Sequence, residues 1–140
     1  MNVYFDASVI VSFVINDALS SRVEAYITRE KPTAVVSDFA AAEVASALNL
    51  RVRAGTIAPD SARAALGQMD LWRAQAAAAC LLTSTDILVA DAFLRRLDLP
   101  LRAPDAIHLA IAQRLDVEIA TGDLRMKDCA SRLGIKLAAI

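Results

Sequence analysis

Four acidic residues of this sequence lie in or beside apolar segments: Asp6, Glu43, Asp105 and Asp123. Asp105 opens the apolar stretch "APDAIHLAIA", and Asp6 directly follows the apolar run "VYF". Ionised carboxylates that crowd together raise one another's pKa unless a cation neutralises them. A site built from carboxylates, without cysteine ligands, favours Mg²⁺ or Mn²⁺ over Zn²⁺, and such ions promote phosphodiester hydrolysis by water. We therefore predict a metal-dependent hydrolytic site.

Each of these acids also has an ordinary structural interpretation. Asp105 and Asp123 stand where helices are predicted to begin, and acids at such positions stabilise a helix by about 0.3–1 kcal/mol. Asp6 could end its strand in an Asx-type turn, and Glu43 could tilt toward solvent. The metal interpretation is preferred because it accounts for all of these acids with a single cause.

Predicted strands and helices alternate along the whole chain. Strands are predicted at residues 3–5, 33–37, 117–121 and 135–140, and the Ala-rich segment 76–84 is compatible with a strand or a helix. Helices are predicted between them, at residues 7–17, 20–30, 38–55, 58–75, 85–99, 103–112 and 122–134. Strands joined by helical crossovers run parallel, so we predict a single α/β domain over residues 1–140, with a central parallel sheet flanked by helices.

This architecture would position the acids, because ligands of open parallel sheets bind at the carboxyl ends of the strands. Asp6 ends the first strand, Asp123 follows the strand 117–121, and Asp105 enters a helix, so the three could share one rim. Glu43 lies inside a helix, on a stripe whose other members are apolar: Phe39, Ala47 and Leu50. We predict that this stripe faces the core, where a carboxylate needs a partner.

The composition excludes several classes of protein. With 140 residues, 56% of them hydrophobic and 22% charged, the chain suits one globular domain. Mean hydropathy is +0.44, but charges interrupt every apolar run, and no basic segment precedes the N-terminal one. Cys80 and Cys129 are isolated, which argues against zinc and disulfide scaffolds. We therefore predict a cytoplasmic protein.

The net charge of −1 argues against broad electrostatic binding of nucleic acid but permits a nuclease with local basic residues.

Four segments, in their order and spacing, resemble the signature blocks of the PIN-domain family, and more narrowly the VapC-type toxin ribonucleases of bacterial toxin–antitoxin pairs. These segments are "VYFDASVIVSFV", "VSDFAAAEVASAL", "APDAIHLAIA" and "IATGDLRMKDCASRLGI". The resemblance implies a PIN-like α/β fold and a Mg²⁺- or Mn²⁺-dependent endoribonuclease, with one or two ions. It also implies an antitoxin partner and a homodimer. Catalytic and metal-binding roles fall on Asp6, Glu43, Asp105 and Asp123, and supporting hydroxyl roles on Ser8 and Thr121.

Two arginines and the single histidine lie close to these acids in sequence. Arg102 and Arg125 could contact phosphate bidentately, although ordinary surface charge is the alternative. His108 shares a helix face with Asp105, but its neighbours are apolar. We therefore interpret it as a buried or hydrogen-bonded structural imidazole and not as a general base.

Other features have less specific interpretations. Asp91 and Asp128 are predicted to be solvent-facing helix residues. The helix after Pro59 carries an apolar stripe, which is predicted to be core, with an exposed surface for a partner segment as the alternative. The stripe consists of Ala62, Ala65, Leu66, Met69 and Trp72.

Two rival functions would also place acids on an α/β fold. A phosphoacceptor receiver domain would need an acidic pair after the first strand and a lysine after a later one, whereas this chain has "FDAS" and no lysine after "VEIAT". The alternative function is a PIN-like module that binds RNA or protein without catalysis, and the presence of all four acids argues against it. Transfer, ribosomal and messenger RNA are all compatible substrates.

Overall fold

The computed structural model describes all residues from Met1 to Ile140, with four strands and seven helices in the predicted order. The strands are β1 Asn2–Phe5, β2 Thr33–Ser37, β3 Ala78–Cys80 and β4 Glu118–Ala120. The helices are α1 Ala7–Val14, α2 Ser20–Glu30, α3 Asp38–Arg53, α4 Pro59–Ala76, α5 Ser84–Arg95, α6 Ala103–Leu115 and α7 Leu124–Arg132. The Ala-rich segment forms a strand, so its helical alternative is wrong.

All pairs within the sheet are parallel, and the strand order is β3-β2-β1-β4. Alternate residues of β1 enter different cores: Val3 and Phe5 pack into the cluster beneath α1, α3 and α4, whereas Tyr4 packs into the cluster beneath α5, α6 and α7. The sheet is therefore covered on both faces, which confirms the predicted α/β class.

The strand order places a topological switch point between β1 and β4. From β1 the chain moves outward through β2 to β3, and β4 then pairs on the opposite side of β1. Ligands of open parallel sheets bind outside the carboxyl ends of the strands at such a point. Asp6 follows the end of β1, and Asp123 lies three residues after the end of β4. The topology therefore brings these two acids to the position that favours ligand binding.

The terminal strand predicted at residues 135–140 is wrong. This segment makes a single parallel bridge, between Ile119 and Leu137. The carbonyls of the last two residues accept hydrogen bonds from arginines of α2 instead of extending the sheet: Arg22 donates to the Ile140 carbonyl at 2.7 Å and Arg29 to the Ala139 carbonyl at 3.3 Å.

The predicted core face of α3 is also wrong. Its buried residues are Ala40, Ala41, Val44 and Leu48. The predicted stripe lies along the edge of this face, with Glu43 partly buried and Leu50 58% exposed. The small residues Ala40 and Ala41 allow this face to approach the sheet closely, and the stripe containing Glu43 is turned toward the rim.

The apolar stripe of α4 packs inward, as predicted. Ala62, Ala65 and Met69 are buried in the core, and Trp72 packs against Phe5 and Phe13 with ring centroids 6.3 Å and 5.0 Å apart. Because the stripe contributes to the core, it does not form the exposed partner surface considered as its alternative.

Asp91 and Asp128 face solvent, as predicted. Asp91 and Asp128 form exposed i,i+4 ion pairs with Arg95 and Arg132. Both cysteines are free, and Cys129 is buried. No helix combines the length and the apolar character that crossing a bilayer requires.

A buried ion pair joins α5 to α6. The Asp86 carboxylate, 1% exposed, accepts hydrogen bonds from the Arg114 guanidinium at 2.7 and 3.0 Å and from the Thr83 amide at 2.8 Å. Burial by itself raises the pKa of Asp86, but the hydrogen bonds from Arg114 and Thr83 outweigh it, so the pKa of the carboxyl is lowered.

We expect Asp86→Asn to lower the free energy of unfolding by about 2 kcal/mol at neutral pH, because one partner of a buried pair is lost while Arg114 keeps some access to water. The folded-state pKa of Asp86 lies below the unfolded-state value, so this stabilisation is present above about pH 4 and is lost as the pH falls through the lowered pKa. Urea unfolding at several pH values measures it. Asp91→Asn, which breaks an exposed pair, should cost less than about 0.5 kcal/mol. Equal effects of the two variants would contradict the prediction.

Candidate active site

Asp6 is a buried carboxylate at the junction of β1 and α1. Its side chain is 2% exposed. Its Oδ1 accepts hydrogen bonds from the Ser8 hydroxyl at 2.7 Å and the Val9 amide at 3.1 Å, and its Oδ2 accepts one from the Thr121 hydroxyl at 2.5 Å. Burial raises the pKa of Asp6, and the bonds from Ser8 and Thr121 oppose this effect. None of the ion pairs in the structure includes Asp6. The carboxylate is thus held in a fixed orientation without a cationic side chain.

The hydroxyls of Ser8 and Thr121 connect Asp6 to the loop after β4. Thr121 Oγ1 accepts a hydrogen bond from the Asp123 amide at 3.1 Å, and Ser8 Oγ accepts one from the Gly122 amide at 2.9 Å. Asp123 Oδ1 in turn caps α7 by accepting from the amides of Arg125 and Met126. One hydrogen-bonded unit therefore sets the positions of Asp6 and Asp123.

Asp105 and Asp123 share a polar cleft of about 390 Å³. Its lining consists of Pro100, Arg102, Asp105, Asp123 and Arg125. Asp105 lies in the first turn of α6, where its Oδ2 accepts from the Arg102 amide at 3.2 Å. Neither guanidinium nor either carboxylate of the cleft takes part in an ion pair. Two acids and two arginines are therefore available to a ligand in this cleft.

A second, larger cleft of about 500 Å³ meets the first at Asp123, which lines both. Arg51, from the last turn of α3, lines this cleft opposite Ser8 and Gly122. The sequence analysis did not identify Arg51, because a basic residue in the last turn of a helix is common and carries no functional signal by itself.

Glu43 is paired with His108, a contact between α3 and α6. Glu43 Oε2 and His108 Nε2 are hydrogen-bonded, and His108 Nδ1 lies 2.7 Å from the Tyr4 hydroxyl. The imidazole is 2% exposed, which confirms the interpretation of His108 as a buried, hydrogen-bonded residue. The partner that Glu43 was expected to need is thus this histidine. Sequence reasoning found neither the pairing nor the contribution of Tyr4.

The four acids do not converge in this structure into a set of three or more metal-binding side chains. Asp105 and Asp123 share a cleft, Asp6 is linked to Asp123 through Thr121, and Glu43 is held by His108. The ordinary interpretations of Asp105 and Asp123 also hold, since each carboxylate accepts a backbone amide at a helix N-terminus. Asp6 caps α1 by accepting the Val9 amide and does not form the Asx-type turn considered for it. Such bonds use only part of the acceptor capacity of a carboxylate. Their assignment as metal ligands therefore stays a prediction.

The family of the chain follows from comparison with known proteins. The family model for the PIN domain matches residues 3–131. The chain belongs to the PIN-domain family. Ribonuclease VapC46 of Mycobacterium tuberculosis is 36% identical to it over 140 residues, which cover 98% of this chain and 96% of that protein. The chain is therefore a homologue of a VapC ribonuclease.

Solved structures show the PIN fold independently of close sequence similarity. VapC20 of Mycobacterium tuberculosis, a sarcin–ricin loop cleaving toxin, superposes with a TM-score of 0.73 at 17% identity, covering 90% of this chain and 93% of that one. A toxin–antitoxin complex from Klebsiella pneumoniae gives a TM-score of 0.61 at 20% identity, with coverages of 95% and 94%. Both likenesses support the four-stranded parallel sheet with flanking helices as a PIN-like architecture.

The PIN-domain signature segments place their acids around the switch point of the sheet. The first and last segments contribute Asp6 and Asp123 from the ends of β1 and β4, and the third contributes Asp105 from α6. The second contributes Glu43 from α3. The four signature segments thus contribute acids from four elements that lie far apart along the chain, and two of these acids, Asp105 and Asp123, share a cleft.

Proposed function

We propose that this PIN-domain protein is an endoribonuclease that hydrolyses RNA phosphodiester bonds with Mg²⁺ or Mn²⁺, and that it acts as the toxin of a toxin–antitoxin pair. The observation that carries the proposal is the cleft where Asp105 and Asp123 lie beside Arg102 and Arg125. Carboxylates bind hard divalent cations, and guanidinium groups bind phosphate oxygens in a planar, bidentate geometry. A divalent cation would bind the two carboxylates of this cleft, and a phosphodiester would bind its two arginines.

The donor set suits a hard cation. Asp6, Asp105, Asp123 and Glu43 offer only oxygen ligands, and neither cysteine belongs to the site. Asp6 is buried without an ion-pair partner, although ionised side chains are costly to bury unless they are paired or bind a metal. When bound, Mg²⁺ or Mn²⁺ supplies a Lewis acid that polarises water and phosphate.

The side chains of the site have different proposed roles, which follow from their positions. Asp6, Asp105 and Asp123 would hold one cation directly or through water, with the orientation of Asp6 set by Ser8 and Thr121. Arg102 and Arg125 would orient the phosphate and offset its negative charge. Glu43, half-buried and held by His108, would bind a second cation or orient the attacking water.

The proposed partner is an antitoxin protein, and the proposed assembly is a homodimer. Similarity to a VapC ribonuclease and to a solved toxin–antitoxin complex supports an antitoxin. The homodimer rests on the family resemblance.

Purified protein should cleave a mixed RNA pool with Mg²⁺ or Mn²⁺ and lose this activity in EDTA. Structured transfer and ribosomal RNA should be tested if the pool is not cleaved. Cleavage in EDTA at an undiminished rate would contradict the metal requirement. If purified, folded protein cleaves none of these RNAs, the nuclease proposal fails, and a non-catalytic binding module becomes the better interpretation.

Thr121→Val tests the unit that links Asp6 to Asp123. Valine keeps the shape but removes the donor to Asp6 and the acceptor of the Asp123 amide. We expect the free energy of unfolding to fall by about 1–3 kcal/mol, the usual cost of leaving buried polar groups unpaired. RNA cleavage should fall about 10- to 100-fold, as for other residues that orient metal ligands.

Urea unfolding and initial cleavage rates measure the two effects of Thr121→Val. Thr56→Val is the matched control, because the Thr56 hydroxyl makes only an exposed bond to the Arg51 carbonyl. A Thr121→Val variant as active as the Thr56→Val variant would show that this unit does not support the site.

A further inference from the structure

A series of buried hydrogen bonds runs from the sheet to Glu43. The Tyr4 hydroxyl, on β1, lies 2.8 Å from Ser37 Oγ at the end of β2 and 2.7 Å from His108 Nδ1 on α6. His108 Nε2 is hydrogen-bonded to Glu43 Oε2 on α3. Tyr4 and Ser37 are fully buried, so water cannot replace any of these partners. The series ends on a candidate site residue that is itself partly exposed.

Counting protons gives the series a direction. Ser37 Oγ already accepts the Ala40 amide at 2.9 Å, where it caps α3. If Ser37 donates to Tyr4, then Tyr4 donates to His108 Nδ1, and the imidazole proton on Nε2 is directed at Glu43. Every donor then has an acceptor. In the reverse direction the Ser37 hydroxyl proton would be buried without an acceptor, at a cost of about 1–3 kcal/mol.

We propose that His108 is a positioning residue, which orients the Glu43 carboxylate through the hydrogen-bonded series Ser37–Tyr4–His108. Its Nε2–H donates to Glu43, and its ring is held by the Tyr4 hydroxyl and by packing of the Phe39 ring, whose centroid is 5.1 Å away. The flexible side chain of Glu43 is thereby held in one orientation. The orientation is a property of the folded chain alone. Its consequence for catalysis rests on the proposed nuclease function.

The chain contains a single histidine, so a ¹⁵N-histidine-labelled sample shows one imidazole without assignment. Long-range ¹H–¹⁵N correlation of the metal-free protein identifies which ring nitrogen carries the proton. We expect one population with Nε2 protonated and Nδ1 unprotonated. Tyr4→Phe should shift the Nδ1 resonance toward that of an imidazole without a donor, and Glu43→Ala should shift Nε2. A wild-type imidazole protonated at Nδ1, or exchanging between tautomers, would overturn the proposal.

Two substitutions separate positioning from packing. His108→Gln keeps an amide donor near the position of Nε2, whereas His108→Leu keeps the volume but removes the donor. We expect the leucine variant to lower kcat about 10- to 100-fold with little change in KM for RNA, and the glutamine variant to retain more than about a third of kcat. Thermal unfolding establishes that both variants are folded. If His108→Leu is unfolded, Tyr4→Phe takes its place in the comparison.

Equal kcat values for the folded leucine and glutamine variants would overturn the positioning role. Mn²⁺ binding, followed by electron paramagnetic resonance, gives a readout that does not need turnover. If Glu43 binds a cation, His108→Leu should weaken Mn²⁺ binding at least about 10-fold relative to His108→Gln, and equal binding would exclude that role of Glu43 and leave the orientation of water, which the kcat comparison decides. If wild-type protein cleaves no RNA, the proposed function fails, while the tautomer still decides whether His108 orients Glu43.

Discussion

Asp105→Asn is expected to lower metal-dependent RNA cleavage by at least about 100-fold, because a lost metal ligand removes several kcal/mol of transition-state stabilisation. The fold should be little affected. Asp105 is partly exposed, makes no ion pair, and accepts one backbone hydrogen bond, which asparagine can also accept. Initial cleavage rates across a range of Mg²⁺ concentrations, together with thermal unfolding, measure both quantities.

Asp60→Asn is the matched control for this substitution. Asp60 is also an acid in the first turn of a helix, but it lies on the exposed surface of α4 and pairs with Arg63. This variant should cleave RNA at the wild-type rate. If Asp105→Asn is as active as Asp60→Asn, Asp105 only stabilises its helix and the metal assignment at this position is wrong.

Asp123→Asn is expected to have a similarly large effect, again at least about 100-fold on RNA cleavage. Asp123 also caps α7, so the substitution must separate its two roles. Asparagine is about as good an N-cap as aspartate, so stability should be retained while the charge is lost. Asp123→Ala should lose the same activity and, in addition, about 1 kcal/mol of stability. Comparing the asparagine and alanine variants by urea unfolding and by cleavage rates separates the effect of the lost charge on cleavage from the effect of the lost cap on stability.

The double variant Asp105→Asn/Asp123→Asn tests whether both acids bind the same cation. Groups that act as one unit give strongly non-additive losses, so the double variant should be hardly worse than either single variant. Asp128→Asn, on the exposed surface of α7, serves as the control and should retain full activity. Multiplicative losses in the double variant would show that the two carboxylates act independently.

The sequence by itself determined most of the local elements and singled out the four acids as candidate site residues. The bounds of α2 and β2 agree with prediction, and Ser37, a residue type that favours N-caps, accepts the Ala40 amide at the start of α3. Such features depend on neighbours within one or two turns, so the local pattern contains the information needed. The signature segments could also be recognised from the sequence, because a family resemblance depends on residue types and their spacing.

Tertiary structure alone decided which of these residues meet. Glu43 and His108 are 65 positions apart, on helices that cover opposite faces of the sheet, and only the folded chain brings their side chains into contact. The buried face of α3 was predicted wrongly for a related reason: periodicity defines stripes on a helix, but packing selects the stripe that is buried. The terminal segment forms a single bridge, and its last two carbonyls accept hydrogen bonds from Arg22 and Arg29, contacts across 118 and 110 positions that no local pattern encodes. Contacts between distant residues depend on many weak packing interactions acting together, and these interactions exist only in the folded chain.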